Sequence, residues 1–311
     1  MINPKKTTPV LPDLSISIGT LRLKNPVLLA SGTCGYGMEL DGLLDLDKLG
    51  GIIIKGLSIR PRPGNPPPRL VETPCGLLNS IGLENIGIEV FIRDKLPFLR
   101  NIQTSLIVNI LGNSVEEYFE MAKRLDREEG IKAIEVNISC PNVKAGGIAF
   151  GTDPEAAASV THAVKKATGL PVIIKLTPNV TDITEVARKV ASAGADAISL
   201  INTLLGMAID IQCRRPALAN VFGGLSGPAI KPVALRMVWQ VVRAVDIPVI
   251  GVGGISTPED AIEFLIAGAR AVEIGTATLI RPSTAEDLPA GIRDYMMANN
   301  IKNVENLRLP E

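Results

Sequence analysis

A cysteine stands where an apolar, strand-like run ends: Cys140, in the stretch EVNISCPNV at residues 135–143. A thiol at this place could pack as a small apolar group, bind a metal, act as a nucleophile or accept a proton. The other cysteines are far away in sequence and form no C-x-x-C pair, which argues against a disulfide framework, a zinc site or an iron–sulfur cluster: Cys34, Cys75 and Cys213. The single histidine, His162, lies in a polar helical stretch. A base is therefore expected from another residue type.

Polar side chains interrupt or end four of the strand-like runs, one of which is the run that precedes Cys140. Because side chains alternate along a strand, four residues fall on the face opposite the apolar one: Lys55, Asn109, Asn137 and Lys175. Any one of them could have a structural role, with its hydrogen bonds made inside the protein. Four at equivalent positions favour a shared polar ligand instead. Glu135 lies deeper in its run, and we expect it to pair with a lysine and to have no catalytic role.

Glycines end two further runs, at residues 251–254 and 275–276. Backbone N–H groups can approach an anion closely at such turns, and a phosphate site after the last two strands recurs in (β/α)8 barrels. The glycines thus predict a phosphorylated ligand. Lysines suit the electron-rich ring of a reduced flavin, and FMN, with one phosphate, fits better than a dinucleotide.

These residues must be positioned by a parallel sheet, because the runs are nearly continuous in hydrophobicity. Helical patterns with start signals separate them, among them a predicted capping box at residues 114–117. The eight runs predict an α/β fold, a (β/α)8 barrel, as one domain over residues 1–311: 27–31, 51–55, 106–110, 133–139, 171–176, 196–201, 247–251 and 271–275.

Three segments fall outside the regular units. Residues 13–25 alternate around Gly19 and predict an N-terminal hairpin on the barrel floor. The connections at 56–105 and 202–246 are too long for plain loops. Loops after barrel strands build the active site, so we expect these insertions to cover a substrate. The proline-rich piece at 60–69 is interpreted as surface decoration.

Composition narrows the class of protein. The chain has 311 residues, with 46% hydrophobic and 21% charged residues and a formal net charge of zero. The sequence has no run of basic residues of the kind that binds nucleic acids. The first residues lack the apolar core of a signal peptide, and no stretch has the length of a membrane span. We therefore expect a cytoplasmic protein that binds neither nucleic acid nor membranes.

Six motifs in this order resemble dihydroorotate dehydrogenase, from about the N-terminal hairpin to the last helix. They are ASG at 30–32, LLNSIGLENIG at 77–87, VNISCPNV at 136–143, INTLLGMAID at 201–210, GGLSGPAIKP at 223–232 and GVGGI at 251–255. The motifs at 201–210 and 223–232 look most like the catalytic subunit of the NAD-dependent type, type 1B. The membrane-bound type 2 uses serine as its base and carries a membrane-associating segment.

The resemblance implies a role for each matching position. It implies that FMN contacts Ser31, Lys55, Gly56, Asn109, Asn137, Lys175, Ile201, Gly227, Gly253, Gly254, Gly275 and Thr276. It implies that substrate contacts Lys55, Asn79, Ser80, Ile81, Gly82, Leu83, Asn137, Asn202 and Thr203. Cys140 would be the catalytic base, assisted by Lys55, and no metal is implied.

The implied reaction is the oxidation of (S)-dihydroorotate to orotate in de novo pyrimidine biosynthesis. Cys140 takes the C5 proton, and the C6 hydride goes to N5 of FMN. The resemblance also implies a partner subunit with FAD and a [2Fe–2S] cluster that passes electrons to NAD, in a heterotetramer around a homodimer core. The alternatives are the fumarate-dependent type 1A enzyme, an FMN barrel that reduces uridine in tRNA, and a non-catalytic phosphate-binding barrel.

Overall fold

The computed structural model of the protein describes residues 11–139 and 150–309. Cys140 lies outside these ranges. Numbered in chain order, the strands begin with the hairpin β1 Ile16–Ile18 and β2 Leu21–Leu23. Eight parallel strands then form a closed barrel: β3 Val27–Leu29, β4 Gly51–Ile53, β7 Ser105–Ile110, β8 Ile131–Asn137, β9 Val172–Lys175, β10 Ala197–Leu200, β15 Val249–Val252 and β16 Ala271–Ile274. The remaining strands are β5 Leu70–Thr73, β6 Gly76–Asn79, β11 Leu204–Met207, β12 Ile209–Asp210, β13 Arg215–Pro216 and β14 Phe222–Ser226.

The closed barrel confirms the prediction of a (β/α)8 fold. Neighbouring strands follow the order of the chain, and β16 pairs with β3 to close the ring. Every residue of β3, β4, β9, β10, β15 and β16 is buried. Strands buried on both faces explain why these runs are nearly continuous in hydrophobicity.

Helices surround the barrel. They are α1 Ile88–Val90, α2 Leu96–Leu99, α3 Val115–Leu125, α4 Pro154–Ala167, α5 Ile183–Ser192, α6 Lys231–Val242, α7 Pro258–Ile266, α8 Ala277–Ile280 and α9 Thr284–Ala298. A π-helical segment, Phe91–Lys95, joins α1 to α2. Short 3-10 helices cover Met38–Leu40, Leu46–Lys48, Pro228–Ile230 and Val304–Leu307. In the part of the chain that the structure describes, no helix is both long and apolar enough to cross a membrane.

Side-chain caps mark the start of α3, α4, α5 and α7. Ser114 accepts a hydrogen bond from the Glu117 N–H at the start of α3, but the Glu117 carboxylate accepts from the N–H of Asn113. The predicted capping box at 114–117 is therefore only half formed. The reciprocal box occurs instead at α7, between Thr257 and Asp260.

The N-terminal hairpin packs on the barrel floor, as predicted. Gly19 makes its tight turn with a φ of 56°. A Cβ added there would lie 3.6 Å from Asp196, which directly precedes β10, so the turn lies at the amino-terminal end of the strands. The inward side chains of β1 and β2 are buried in the core.

The two long insertions form one structure at the opposite end. Strands β5 and β6 from the first insertion and β11 and β14 from the second make a four-stranded antiparallel sheet, in the order β11–β14–β6–β5. Asn79 of β6 pairs with Gly224 of β14, 145 residues later. We call these four strands the cap sheet. The insertions therefore cover the carboxyl ends of the barrel strands together, which agrees with the prediction that they cover a site.

Candidate active site

A cavity of about 910 Å³ opens between the carboxyl ends of the barrel strands and the cap sheet. Its size is that of a ligand or cofactor site. Within the described ranges, every residue predicted to contact a ligand lines this one cavity: Ser31, Lys55, Gly56, Asn79, Ser80, Ile81, Gly82, Leu83, Asn109, Asn137, Lys175, Ile201, Asn202, Thr203, Gly227, Gly253, Gly254, Gly275 and Thr276. The predicted base, Cys140, lies outside those ranges, and the residue before it, Ser139, lines the cavity.

The polar residues of the strands converge as the alternation rule predicts. Asn137 and Lys175 are direct partners in the register of β8 and β9. Asn109 and Glu135 are direct partners one layer deeper, in β7 and β8. Lys55 follows β4 and is half-buried, and its backbone N–H donates to the carbonyl of Gly35 at 2.8 Å. Its ammonium makes no hydrogen bond or ion pair with any residue that the structure describes. An unpaired ammonium in a cavity wall is suited to binding an anionic or electron-rich ligand.

Charged side chains fill the barrel beneath the cavity. Lys175 Nζ lies 2.8 Å from Glu273 Oε2 and 3.6 Å from Glu135 Oε1. Asn109 Nδ2 donates to Glu135 Oε2 at 2.6 Å, and Ser199 Oγ donates to Glu135 Oε1 at 2.7 Å. Glu135 therefore pairs with a lysine inside the barrel, as predicted. We call Glu135, Lys175 and Glu273 the buried triad.

The pKa values in the triad reflect burial and mutual charge. Burial disfavours the charged form of Lys175, but the neighbouring carboxylates Glu135 and Glu273 outweigh it and raise the Lys175 pKa. Burial, reinforced by the charge of Glu135, raises the pKa of the Glu273 carboxyl. Lys175 thus keeps its positive charge against the cavity, and Glu273 is the group that is hardest to ionise.

Sequence reasoning missed Glu273 and Ser199. Both are fully buried barrel residues, on β16 and β10. The signal was available, because Glu273 alternates with the apolar Val272 and Ile274 as Asn109 alternates with its neighbours. Apart from this one acidic residue, the run at 271–275 is apolar and ends in a glycine, so its polar signal is weaker than that of the runs that carry lysine or asparagine.

A second group of amides lies on the cap-sheet side of the cavity. Asn202 Nδ2 lies 3.5 Å from Asn137 Oδ1, at the limit of a hydrogen bond. The N–H of Thr203 donates to Asn202 Oδ1 at 2.8 Å and fixes the orientation of that amide. Asn79 Nδ2 donates to the carbonyl of Gly224 at 3.3 Å, which ties the two insertions together at the cavity wall. Amides held in this way can present donors and acceptors to a planar polar ring.

Two further cavity residues were not predicted. Asn179 donates to the carbonyl of Thr203 at 3.0 Å and accepts from the N–H of Leu205 at 2.9 Å, so it clamps the start of β11. Asn65, within the proline-rich piece, lines the cavity and donates to the carbonyl of Ser80 at 2.9 Å. The interpretation of residues 60–69 as surface decoration was therefore incomplete.

The glycine turns after β15 and β16 lie side by side on the cavity wall. Gly253 and Gly254 have φ values of 131° and 73°, which L side chains rarely adopt. Among described residues, the N–H groups of Gly253, Gly254 and Thr276 have no acceptor. Thr276 Oγ1 donates to Ser226 Oγ at 2.8 Å, which links this wall to the cap sheet. Convergent free N–H groups make a suitable anion site.

These features fit a flavin mononucleotide. The paired glycine turns offer free N–H groups for one phosphate, and the two lysines supply positive charge for a ring. Asn109 Oδ1 is buried and has no partner among the described residues, so a bound ligand would satisfy it. The residues that would hold FMN are therefore Lys55, Asn109, Lys175 and the turns at 253–254 and 275–276.

The described cysteines do not offer a base to this cavity. Cys34 is fully buried, its Sγ donates to the carbonyl of Ile53 at 3.1 Å, and burial raises the pKa of its thiol to about 12. Cys75 and Cys213 are exposed, and neither lines the cavity. The predicted base therefore stays with Cys140.

Exposed apolar side chains surround the cavity mouth. Five that also line the cavity are each more than half exposed: Leu70, Leu205, Phe222, Leu279 and Ile280. Clustered exposed apolar groups are typical of a surface that another molecule covers. We call these five residues the apolar rim.

Comparisons with known proteins point to one family. The family model described as Dihydroorotate dehydrogenase matches residues 13–296. A protein of Geotalea daltonii named dihydroorotate dehydrogenase B (NAD(+)), catalytic subunit, is 60% identical over 296 residues, which cover 95% of this chain and 97% of the relative. Proteins with the same name from Geotalea uraniireducens and Geobacter sulfurreducens are 59% and 58% identical, with the same shares covered.

Proposed function

The chain belongs to the dihydroorotate dehydrogenase family of oxidoreductases, and from that membership we propose that it is the FMN-containing catalytic subunit of an NAD-dependent enzyme. Its reaction is the oxidation of (S)-dihydroorotate to orotate in de novo pyrimidine biosynthesis. The observation that carries this proposal is the single cavity in which two lysines, an amide cluster and two glycine turns meet. A non-catalytic phosphate-binding barrel would not need the amide cluster.

The reaction removes a proton from C5 and a hydride from C6 of the substrate. FMN, when bound, supplies the hydride acceptor at N5. The chain must hold the substrate ring still, accept the proton and keep water out. Positioning of reacting groups can lower a barrier by several kcal/mol, since fixed neighbours replace a bimolecular encounter.

The amide cluster is proposed to hold the pyrimidine ring. Asn79, Asn137 and Asn202 offer both donors and acceptors, which match the amide edges of dihydroorotate. The hydrogen bonds from Thr203 to Asn202 and from Asn79 to Gly224 fix two of these amides before substrate binds. Lys55, unpaired among the described residues, is placed to attract both the substrate carboxylate and the flavin ring.

Cys140 is proposed to accept the C5 proton as a thiolate. A free thiol has a pKa of about 8.5, so the fraction of active base grows as pH rises. We expect turnover to increase with pH through the mildly alkaline range. This assignment comes from the sequence match at residues 136–143 and from Ser139, which brings the chain to the cavity wall immediately before Cys140.

A pair of cysteine variants tests the base. Cys140→Ala is expected to keep its flavin and to lose nearly all turnover with dihydroorotate, since none of the described thiols, Cys34, Cys75 and Cys213, lines the cavity. Cys213→Ala makes the same chemical change at an exposed site and is expected to keep full activity. Substantial turnover by Cys140→Ala would refute the proposed role.

An absorbance spectrum of the purified protein tests the cofactor. A yellow protein whose released flavin is FMN rather than FAD supports the site described above. Lys55→Met, which removes a cation from the cavity wall without leaving a carboxylate unpaired, should release flavin more readily than the wild type does. A colourless protein that does not take up added FMN would contradict the proposal.

Electrons are proposed to leave through a partner subunit that carries FAD and a [2Fe–2S] cluster, in a cytoplasmic heterotetramer built on a homodimer of this chain. The apolar rim supports a docked protein, because an electron acceptor must approach the flavin through the mouth of the cavity. Steady-state assays should show NADH formation only when the partner is added. Rapid NADH formation by this chain alone would contradict the two-subunit arrangement, and fumarate-supported turnover by this chain would favour the type 1A reaction.

A further inference from the structure

The buried triad contains two carboxyl groups and one ammonium. Glu135, Lys175 and Glu273 have exposures of 0%, 5% and 1%. If both carboxyls were ionised, the triad would carry a net negative charge in the barrel interior. An uncompensated charge in such a place costs several kcal/mol, and a buried acid usually takes up a proton instead.

The hydrogen bonds distinguish the two carboxyls. Glu135 accepts from Asn109 and from Ser199 and also faces Lys175, so both its oxygens have partners. Among the side chains that the structure describes, Glu273 accepts a hydrogen bond from Lys175 alone, through Oε2, although Glu135 also lies close to it. The other oxygen of Glu273, Oε1, is buried and has no partner among the described residues. Hydrogen-bond donors stabilise the ionised form of the carboxylate that accepts them, so they favour charge on Glu135.

We propose that Glu273 holds a proton at neutral pH, on the oxygen without a partner, and that the buried triad beneath the cofactor cavity is therefore neutral. A neutral unpaired O–H is much less costly than an unpaired carboxylate oxygen. The raised pKa of the Glu273 carboxyl agrees with this placement. The proton sits behind Lys175, which itself lines the cavity.

The groups that face Glu273 are few. Among residues 11–139 and 150–309, the titratable side chains that interact with it are Lys175 on β9 and Glu135 on β8, together with the Cys34 thiol, which follows β3. Cys34 stays protonated, because burial raises the pKa of its thiol to about 12. The charge behind the cavity therefore changes with pH mainly at Glu273.

The proton has a consequence that rests on the proposed function. When Glu273 loses it, the triad gains a negative charge behind Lys175, and adding electrons to a flavin in the cavity becomes less favourable. Adding electrons in turn favours reprotonation of Glu273, so the two events are coupled. Glu273 is thus a positioning residue that acts through Lys175 and sets the charge seen by the cofactor.

Infrared spectroscopy of the protein without flavin tests the proton directly. Wild type at pH 7 should show a buried carboxylic-acid C=O band that Glu273→Gln lacks. Glu120→Gln, the same change on an exposed helix face, should retain it. Identical wild-type and Glu273→Gln spectra in this region would overturn the proposal. Circular dichroism of each variant shows whether it is folded.

Two further variants locate the proton within the triad. Glu135→Gln leaves Lys175 with Glu273 as its only carboxylate, so Glu273 should ionise and the band should vanish although Glu273 is present. Ser199→Ala removes a donor that contacts Glu135 alone. The band should keep its position in Ser199→Ala, whereas a shifted band would place the proton on Glu135 and overturn the assignment.

The midpoint potential of bound flavin, measured against pH, tests the coupling. One additional proton taken up with two electrons steepens the slope by about 30 mV per pH unit. Wild type should show the steeper slope where Glu273 titrates, and Glu273→Gln should lack it. Equal slopes would overturn the coupling, even if the infrared band is found. A chain that binds no flavin would refute the proposed function and leave the infrared result to decide the proton.

Discussion

Replacing Lys175 by methionine should strongly destabilise the fold. The Lys175 ammonium lies 2.8 Å from Glu273 and 3.6 Å from Glu135, and its side chain is 6% exposed. Methionine keeps the approximate length of the side chain but leaves these carboxyls without a cation. Removing one partner of a buried ion pair costs about 3–5 kcal/mol, because the remaining charge cannot be solvated. We expect a loss of that size in the free energy of unfolding at pH 7.

The loss in the free energy of unfolding caused by Lys175→Met should be smaller at acidic pH. Burial raises the pKa of the Glu273 carboxyl and Lys175 lowers it, so without Lys175 this carboxyl binds a proton still more tightly in the folded chain than in the unfolded chain. Stability then rises as pH falls toward the ordinary glutamate pKa of about 4.3. The double variant Lys175→Met/Glu273→Gln should recover part of the loss at pH 7, since one of the two buried carboxyls is gone.

Urea unfolding followed by circular dichroism at pH 7 and pH 5 measures both effects. Lys189→Met is the matched control, because Lys189 pairs with Glu155 on the surface, where their side chains are 50% and 74% exposed. Exposed pairs contribute about 0–1 kcal/mol. A loss below about 1 kcal/mol for Lys175→Met, or an equal loss at both pH values, would refute the account of the buried triad.

Three other changes have defined outcomes. Gly254→Ala should lower the free energy of unfolding in urea by about 1–2 kcal/mol and weaken FMN binding, because φ is 73° and the new Cβ would lie 2.7 Å from Lys231 Cβ. Gly169→Ala is its control, because the nearest atom to the added Cβ would be 3.9 Å away. Asn179→Ala should raise the KM for dihydroorotate about two- to tenfold while flavin is retained, since the clamp on Thr203 is lost; an unchanged KM would exclude a positioning role. In wild type, the raised pKa of Glu273 means that the folded chain holds the extra proton. The free energy of unfolding should therefore fall as pH rises above about 4.3, and Glu273→Gln should flatten that dependence.

The barrel and most of its polar lining could be predicted from local sequence. Each apolar run is long enough to specify a buried strand, and alternation within a run decides which side a polar residue faces. Lys175 and Asn109 were placed by that rule alone, and both line the cavity. The position of the glycine turns could be predicted from the same strands, because each turn follows the carboxyl end of a predicted strand and must lie at that end of the barrel.

The pairing of the cap-sheet strands and the partnership of Lys175 with Glu273 could not be predicted in the same way. Strand β6 pairs with β14 across more than a hundred residues, and both are short and rich in glycine, so neither gives a strong local signal. Which carboxyl faces Lys175 depends on the closure of the barrel, because Glu273 comes from a strand 98 residues further along the chain. Long-range partners of this kind are set by topology and not by local pattern.

The cap sheet also bears on how this site can be altered by evolution or by engineering. Its two halves come from different insertions, and they meet where β14 of the second insertion pairs with β6 of the first. If one insertion were replaced by that of a relative, its strand would have to pair in register with a strand of the other, unchanged insertion. A one-residue slip would turn the cavity-facing side chains of that strand outward. The two insertions therefore form a single structural unit, although half of the barrel separates them in the sequence.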